Sequence, residues 1–78
     1  LIEIAQIRAA RALLGLSQPD LARAAGVSVA TLKRAEGSGT PAASQAALEK
    51  IAEALNDLGV EFIPENGGGA GVRLKERG

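Results

Sequence analysis

The 78-residue sequence contains no cysteine and no histidine. Disulfide staples, zinc-finger ligand sets and imidazole acid–base chemistry are therefore excluded, and the missing thiols fit a reducing compartment. Aromatic side chains are almost as scarce: Phe62 stands alone in a chain whose apolar fraction of 46% is rich in Ala. Such a core has little volume per residue. At this length a chain buries roughly 60% of its unfolded surface, so help from a partner surface is expected. Long hydrophobic runs are lacking too. The start leans apolar, but Glu3, Arg8 and Arg11 interrupt it, so neither a signal peptide nor a membrane span is expected and the chain reads as cytoplasmic. It opens with Leu1 rather than Met, which raises the expectation that part of a natural N-terminus precedes it.

There is no excess of either charge, with nine Lys and Arg against nine Asp and Glu. The distribution is uneven. Through Arg34 there are five basic residues (Arg8, Arg11, Arg23, Lys33, Arg34) against two acidic ones, Glu3 and Asp20. From Ala35 to Glu65 the balance reverses, with Lys50 facing six carboxylates, and the tail from Asn66 is again net basic. The division suggests one side turned to phosphate and a fourth helix turned away from it, with ordinary scatter of surface charge as the alternative.

The stretch that organises the chain is SQPDLARAAGVSVATLKRAE, from Ser17 to Glu36. Ser17 is a natural N-cap, and Asp20 three residues on completes a variant of the capping box. Pro19 falls in the first turn, where its missing N–H deprives no intrahelical bond. Leu21, Ala22 and Ala25 have the spacing of one apolar helix face. Gly26 then suits the left-handed conformation that ends a helix. Ser28 caps a second helix, Leu32 and Ala35 continue its buried side, and Val27 plugs the angle between the two. This is a helix-turn-helix whose second helix, about 28–36, turns Val29, Ala30, Thr31, Lys33 and Arg34 outward.

The pattern Leu16-Ser17-Gln18, Leu21-Ala22, Gly26-Val27-Ser28, Thr31-Leu32 and Glu36 resembles the phage-repressor and Cro-like (XRE) family of DNA-binding domains. The resemblance implies a mainly α, four-helix, lambda-repressor-like domain and a bacterial transcriptional regulator bound to double-stranded DNA. It also implies that Gln18, at the start of the second helix, contacts a backbone phosphate, and that Arg11 pairs with Glu36 to tie the first and third helices together. The sequence departs from many relatives at Val29 and Ala30, where Gln, Arg or Asn often bond bases. Val29 and Ala30 are limited to thymine methyls or groove shape, so specificity leans on Arg34, Lys33, Thr31 and Ser28, or on DNA shape. Arg34 is the foremost base reader, with a phosphate contact as its alternative; Arg8 and Arg23 are weaker backbone candidates.

Around this motif, a first helix is expected over about Ile4–Leu14, with Ile4, Ile7 and Leu14 on one face, Ala10 between them and Gly15 as terminator. Leu13 and Leu16 are expected to pack under the second helix. The run GSGTP from Gly37 breaks the helical pattern. Thr40 or Ser44 caps a fourth helix with Leu48, Ile51, Ala52, Leu55 and Leu58 on its apolar face, ended by Gly59. Beyond Gly59 the period changes to two. Val60 and Phe62, then Val72 and Leu74, suggest two strands of a hairpin around the loop ENGGGAG. No Lys-Ser/Thr or helix follows those glycines, which excludes a phosphate loop. The expected organisation is a helix-turn-helix domain over 1–59 and a hairpin tail over 60–78.

An isolated hairpin is marginal in water and its edges are a liability, so a homodimer through the C-terminal strands is expected. A different reading is a protein-interaction module, such as an antitoxin or adaptor whose tail binds another protein. Catalysis is not expected, since Ser17 and Ser28 are better explained as caps than as nucleophiles, and no cofactor or metal is implied.

Overall fold

The computed structural model describes residues 2–75, so the expected tail over 60–78 is described through Lys75 and its last three residues lie outside. The order is α1 (Ile4–Leu14), α2 (Gln18–Ala25), α3 (Val29–Ala35), α4 (Gln45–Asp57), β1 (Val60–Ile63) and β2 (Gly71–Leu74). The mainly α fold with a C-terminal hairpin is as the sequence implies.

Local chemistry sets each helix boundary. Ahead of α1 the Glu3 N–H donates to Gln6 Oε1 at 2.7 Å. α1 ends at Gly15, with φ 67°, and α2 ends at Gly26, with φ 71°. At Gly26 the N–H donates to Arg23 O, and the next N–H, of Val27, donates to Ala22 O at 3.0 Å. This paired closure turns the chain sharply while satisfying carbonyls at the helix end. Ser17, Ser28 and Ser44 cap α2, α3 and α4, each accepting the N–H of the third residue on. Ser44 therefore caps the fourth helix rather than Thr40. At the start of α2, Asp20 lies 3.6 Å from Arg23.

The core is built from one or two side chains of every helix. Ile7, Leu21, Leu32, Ile51, Leu55 and Val60 are fully enclosed, with Ala10, Ala22 and Ala35 between them. Each large aliphatic contributes roughly 1.5–3 kcal/mol by leaving water, and the alanines let the helices approach closely. Leu14, Leu16, Val27, Leu48 and Phe62 are half-buried around this centre. Three expectations change. Leu13 is 46% exposed and Leu58 45% exposed, so neither packs in the core, and Ile4 is half out of it. Helical spacing alone cannot say where an apolar stripe ends. Leu13 sits one residue off the Ile7–Ala10–Leu14 line, and Leu58 follows the last residue of α4.

The hairpin rests on the helices. Val60 pairs with Leu74 and Phe62 with Val72 in antiparallel register; Val60 lies inside the same core and Phe62 and Val72 pack against it, where the hairpin meets α1 and α4, while Leu74 stays exposed. Gln6, buried in α1, donates through Nε2 to Gly71 O at 3.0 Å and Ile63 O at 3.4 Å. A buried amide needs such partners, and these fasten the loop end of the hairpin to the first helix. At the other end Lys75 N–H donates to Gly59 O, and its Nζ donates to Asn56 O at 2.8 Å, near the last carbonyls of α4. On the outer face Glu61 and Arg73 form a two-pronged pair at 3.0 Å. Arg73's hydrogen bond and charge hold the Glu61 carboxyl below its ordinary range.

Burial makes Ile51 and Leu13 a clean contrast. Ile51→Ala should destabilise by about 2–5 kcal/mol, whereas Leu13→Ala should stay within about 0.5 kcal/mol of the parent. Urea titration followed by circular dichroism measures both; comparable losses would return Leu13 to the core.

Candidate nucleic-acid interface

α2 and α3 meet at the sharp turn Gly26–Val27–Ser28, which seats Val27 between them and swings α3 across the end of α2. The expected contact residues are arranged as follows. Gln18 is the first residue of α2 and half-buried. Its Nε2 donates to Glu36 Oε1 at 3.0 Å. Ser28, Thr31 and Arg34 follow one another at i, i+3 and i+6 along one side of α3. The Ser28 hydroxyl donates to Thr31 Oγ1 at 2.9 Å, and Arg34 Nη2 donates to the same oxygen at 3.2 Å. Ala30 and Lys33 stand fully outward, but Val29 is half-buried against the core rather than wholly on the outer face. A helix whose stripe must seal a small core draws in the β-branched residue at its start.

Arg34 does not extend freely from the helix. It is half-buried, its Nε is shielded from solvent without a partner, and its stem lies beside Gly39, where an added Cβ would stand 3.7 Å from Arg34 Cγ. Thr31, Arg34 and Lys50 line one cleft of about 390 Å³ between α3 and the start of α4. Lys50 carries no signal in the sequence beyond the polar face of its helix. Only the docking of α3 on α4 brings it to the same cleft as Arg34. Arg8 and Arg23 are exposed, and the Arg23 contact with Asp20 is of the solvated kind that contributes little.

Behind the outer face lies the Arg11–Glu36 pair that the resemblance implied. Arg11 Nε donates to Glu36 Oε2 at 2.8 Å and Nη2 to Oε1 at 3.1 Å, a bidentate arrangement, while Nη1 donates to Leu16 O at 3.1 Å. The Glu36 side chain is 4% exposed and that of Arg11 27%. Two carboxylate oxygens thus receive three N–H groups from α1 and α2. No group of three or more His, Cys, Asp or Glu side chains suited to a metal ion occurs among the described residues.

A family model described as helix-turn-helix matches residues 7–63, most of the chain. The chain belongs to the phage-repressor and Cro-like (XRE) helix-turn-helix family. The match runs from α1 through β1, so the motif, the loop after α3 and the first strand all fall within the XRE pattern. Membership makes this a helix-turn-helix domain of the DNA-binding regulatory kind. A search of curated proteins gave no match. No helix among the described residues is long and apolar enough to cross a membrane.

The ion pair predicts a specific pattern of stabilities. Arg11→Ala and Glu36→Ala should each destabilise, Glu36→Ala by leaving Arg11 without its partner and Arg11→Ala by leaving a buried carboxylate short of donors. The double variant should lose about 0.5–3 kcal/mol less than the sum of the two. Denaturant unfolding of all four proteins gives the cycle, and strict additivity would mean that the two side chains do not interact in solution.

Proposed function

We propose that this domain is a sequence-specific, double-stranded DNA-binding transcriptional regulator that acts as a two-fold dimer, without catalysis, in the cytoplasm. The observation that carries the reading is the surface of the second motif helix. Ala30 and Lys33 face outward, the Ser28–Thr31–Arg34 row runs beside them, and Gln18 stands at the start of α2. α3 enters the major groove. Gln18 and the start of α2 meet a backbone phosphate and set the docking depth. Ala30 and the outer part of Val29 touch thymine methyls, while Lys33, Thr31, Ser28 and Arg34 supply hydrogen bonds and charge. Arg34 and Lys50 on one cleft support backbone neutralisation beside α3, in a chain whose formal charge is zero overall. With so few hydrogen-bonding side chains on α3, DNA shape carries part of the specificity.

The C-terminal hairpin, with its partner strands from a second copy, is the dimerisation element of this proposal. A two-stranded sheet leaves outer edges open, and Leu74 is 52% exposed on the face that carries Phe62 and Val72. A dimer presents two recognition helices about 34–36 Å apart, matched to successive major grooves and a palindromic site. An apolar groove of about 320 Å³ bordered by Ile2, Leu48, Phe62 and Pro64 favours a second reading, an interaction module of the antitoxin or adaptor type.

Selection from random duplex DNA followed by salt titration tests the leading reading. Log K should fall against log salt with a slope of about −0.9 per phosphate neutralised. Arg34→Ala should cost roughly 1–3 kcal/mol and relax preference at one base pair if Arg34 reads a base. Uniform weakening would assign it to the backbone, and the absence of salt-sensitive binding to any duplex would overturn the DNA reading.

The dimer has its own test. Leu74→Asp should leave the helical circular dichroism unchanged and convert a dimer to a monomer in light scattering at tens of micromolar. A parent protein that is already monomeric there would remove the dimer from the proposal.

A further inference from the structure

We propose that Glu36 is a positioning residue for DNA docking, because its carboxylate fixes which end of the Gln18 amide faces a phosphate. The inference rests on the DNA-binding reading and gives the Arg11–Glu36 pair a role beyond stability. An ionised carboxylate accepts hydrogen bonds and donates none. Gln18 must therefore turn its Nε2, not its carbonyl, toward Glu36 Oε1, at the observed 3.0 Å. One N–H is taken in that bond, and the second N–H of the same nitrogen is left as a donor. A phosphate oxygen is an acceptor and needs that donor. An amide without the carboxylate presents its carbonyl as readily as its N–H, and the carbonyl repels phosphate.

The helix start offers little to replace it. Pro19 has no N–H, the Asp20 N–H is bound to Ser17 Oγ at 3.2 Å, and the Leu21 N–H is bound to Ser17 O at 3.1 Å. At this helix start the remaining donors are the Ser17 hydroxyl, which only accepts in the cap bond, Gln18's own backbone N–H and its side-chain amide. Glu36 is held in turn, enclosed to 4% exposure and gripped at 2.8 and 3.1 Å by Arg11. The guanidinium charge offsets the repulsion that a carboxylate so near the interface would exert on DNA, so the cluster orients Gln18 without an electrostatic cost to docking.

The test is a cycle in DNA affinity rather than in stability. Gln18→Ala, Glu36→Gln and the double variant are titrated by fluorescence anisotropy against a duplex recovered by selection, with folding of each checked by circular dichroism in the same buffer. Glu36→Gln keeps the shape but bonds Gln18 in either orientation. Gln18→Ala should weaken binding about tenfold, the scale of one hydrogen bond to a charged group, Glu36→Gln should weaken it about twofold, since either end of the amide is then presented equally, and the double variant should be no weaker than Gln18→Ala alone. A folded Glu36→Gln protein that binds like the parent, or a double variant weakened about twentyfold, the product of about tenfold and about twofold, overturns the proposal. Glu36→Asp, which keeps the charge and withdraws the oxygens by one methylene, replaces Glu36→Gln if that variant unfolds and carries the same expectations. In the parent, nitrogen-15 spectra should show one Gln18 Nε2 proton shifted downfield by its bond to Glu36 and slow to exchange with water, with the other shifting when duplex is added. A rapidly exchanging amide indifferent to duplex overturns the proposal. Failure of the parent to bind any duplex would remove the DNA reading as well, whereas loss of the coupling alone leaves that reading standing.

Discussion

A buried carboxylate is tolerated only where its lone pairs are satisfied, and Glu36 meets that demand with three N–H groups from two other helices. The orientation of α3 depends on this. A helix of seven residues has no stability of its own in water, since nucleation costs more than so few hydrogen bonds return. It persists because Leu32 and Ala35 are packed from within, Ser28 caps its start and Glu36 anchors its end to α1 and α2. The same anchor that steadies the helix also restrains the amide of Gln18. In the proposed docking, stability and the placement of Gln18 share this one group.

The core places a second constraint. With alanine at so many interior positions, the helices approach closely but enclose little volume, and the largest buried side chains are Leu and Ile. Closure comes from beyond the helices. Val60 completes the centre, and Gln6 reaches from α1 to the hairpin carbonyls. Phe62 is spread over the edge of the core rather than sunk into it, which leaves apolar surface along the groove it shares with Leu48 and Pro64.

Much of this was legible in the residues themselves. Ser17, Gly26 and Ser28 mark their boundaries because capping and left-handed closure depend on the chemistry of one residue and its immediate neighbours. The bounds of α1, the turn between α2 and α3, and the two alternating strands follow from such local rules. The pairing of Arg11 with Glu36 came from the resemblance to XRE domains, and the structure bears it out. What periodicity could not reach was the edge of the core. Leu13 and Leu58 have the right chemistry and nearly the right spacing, yet stand in solvent.

The arrangement around the interface belongs to tertiary structure alone. Whether Gln18 meets solvent or a carboxylate is decided by where Glu36 is carried by α3, 18 residues away in the chain. Whether Lys50 joins Arg34 depends on the docking of α4, and whether Val29 faces groove or core depends on the tilt of α3. The sequence by itself determined the elements and the turn, because caps, glycines and apolar spacing act over four or five residues. Only the packed structure decided the partners of Gln18, Val29 and Arg34, because those contacts join residues whose separation no local rule spans.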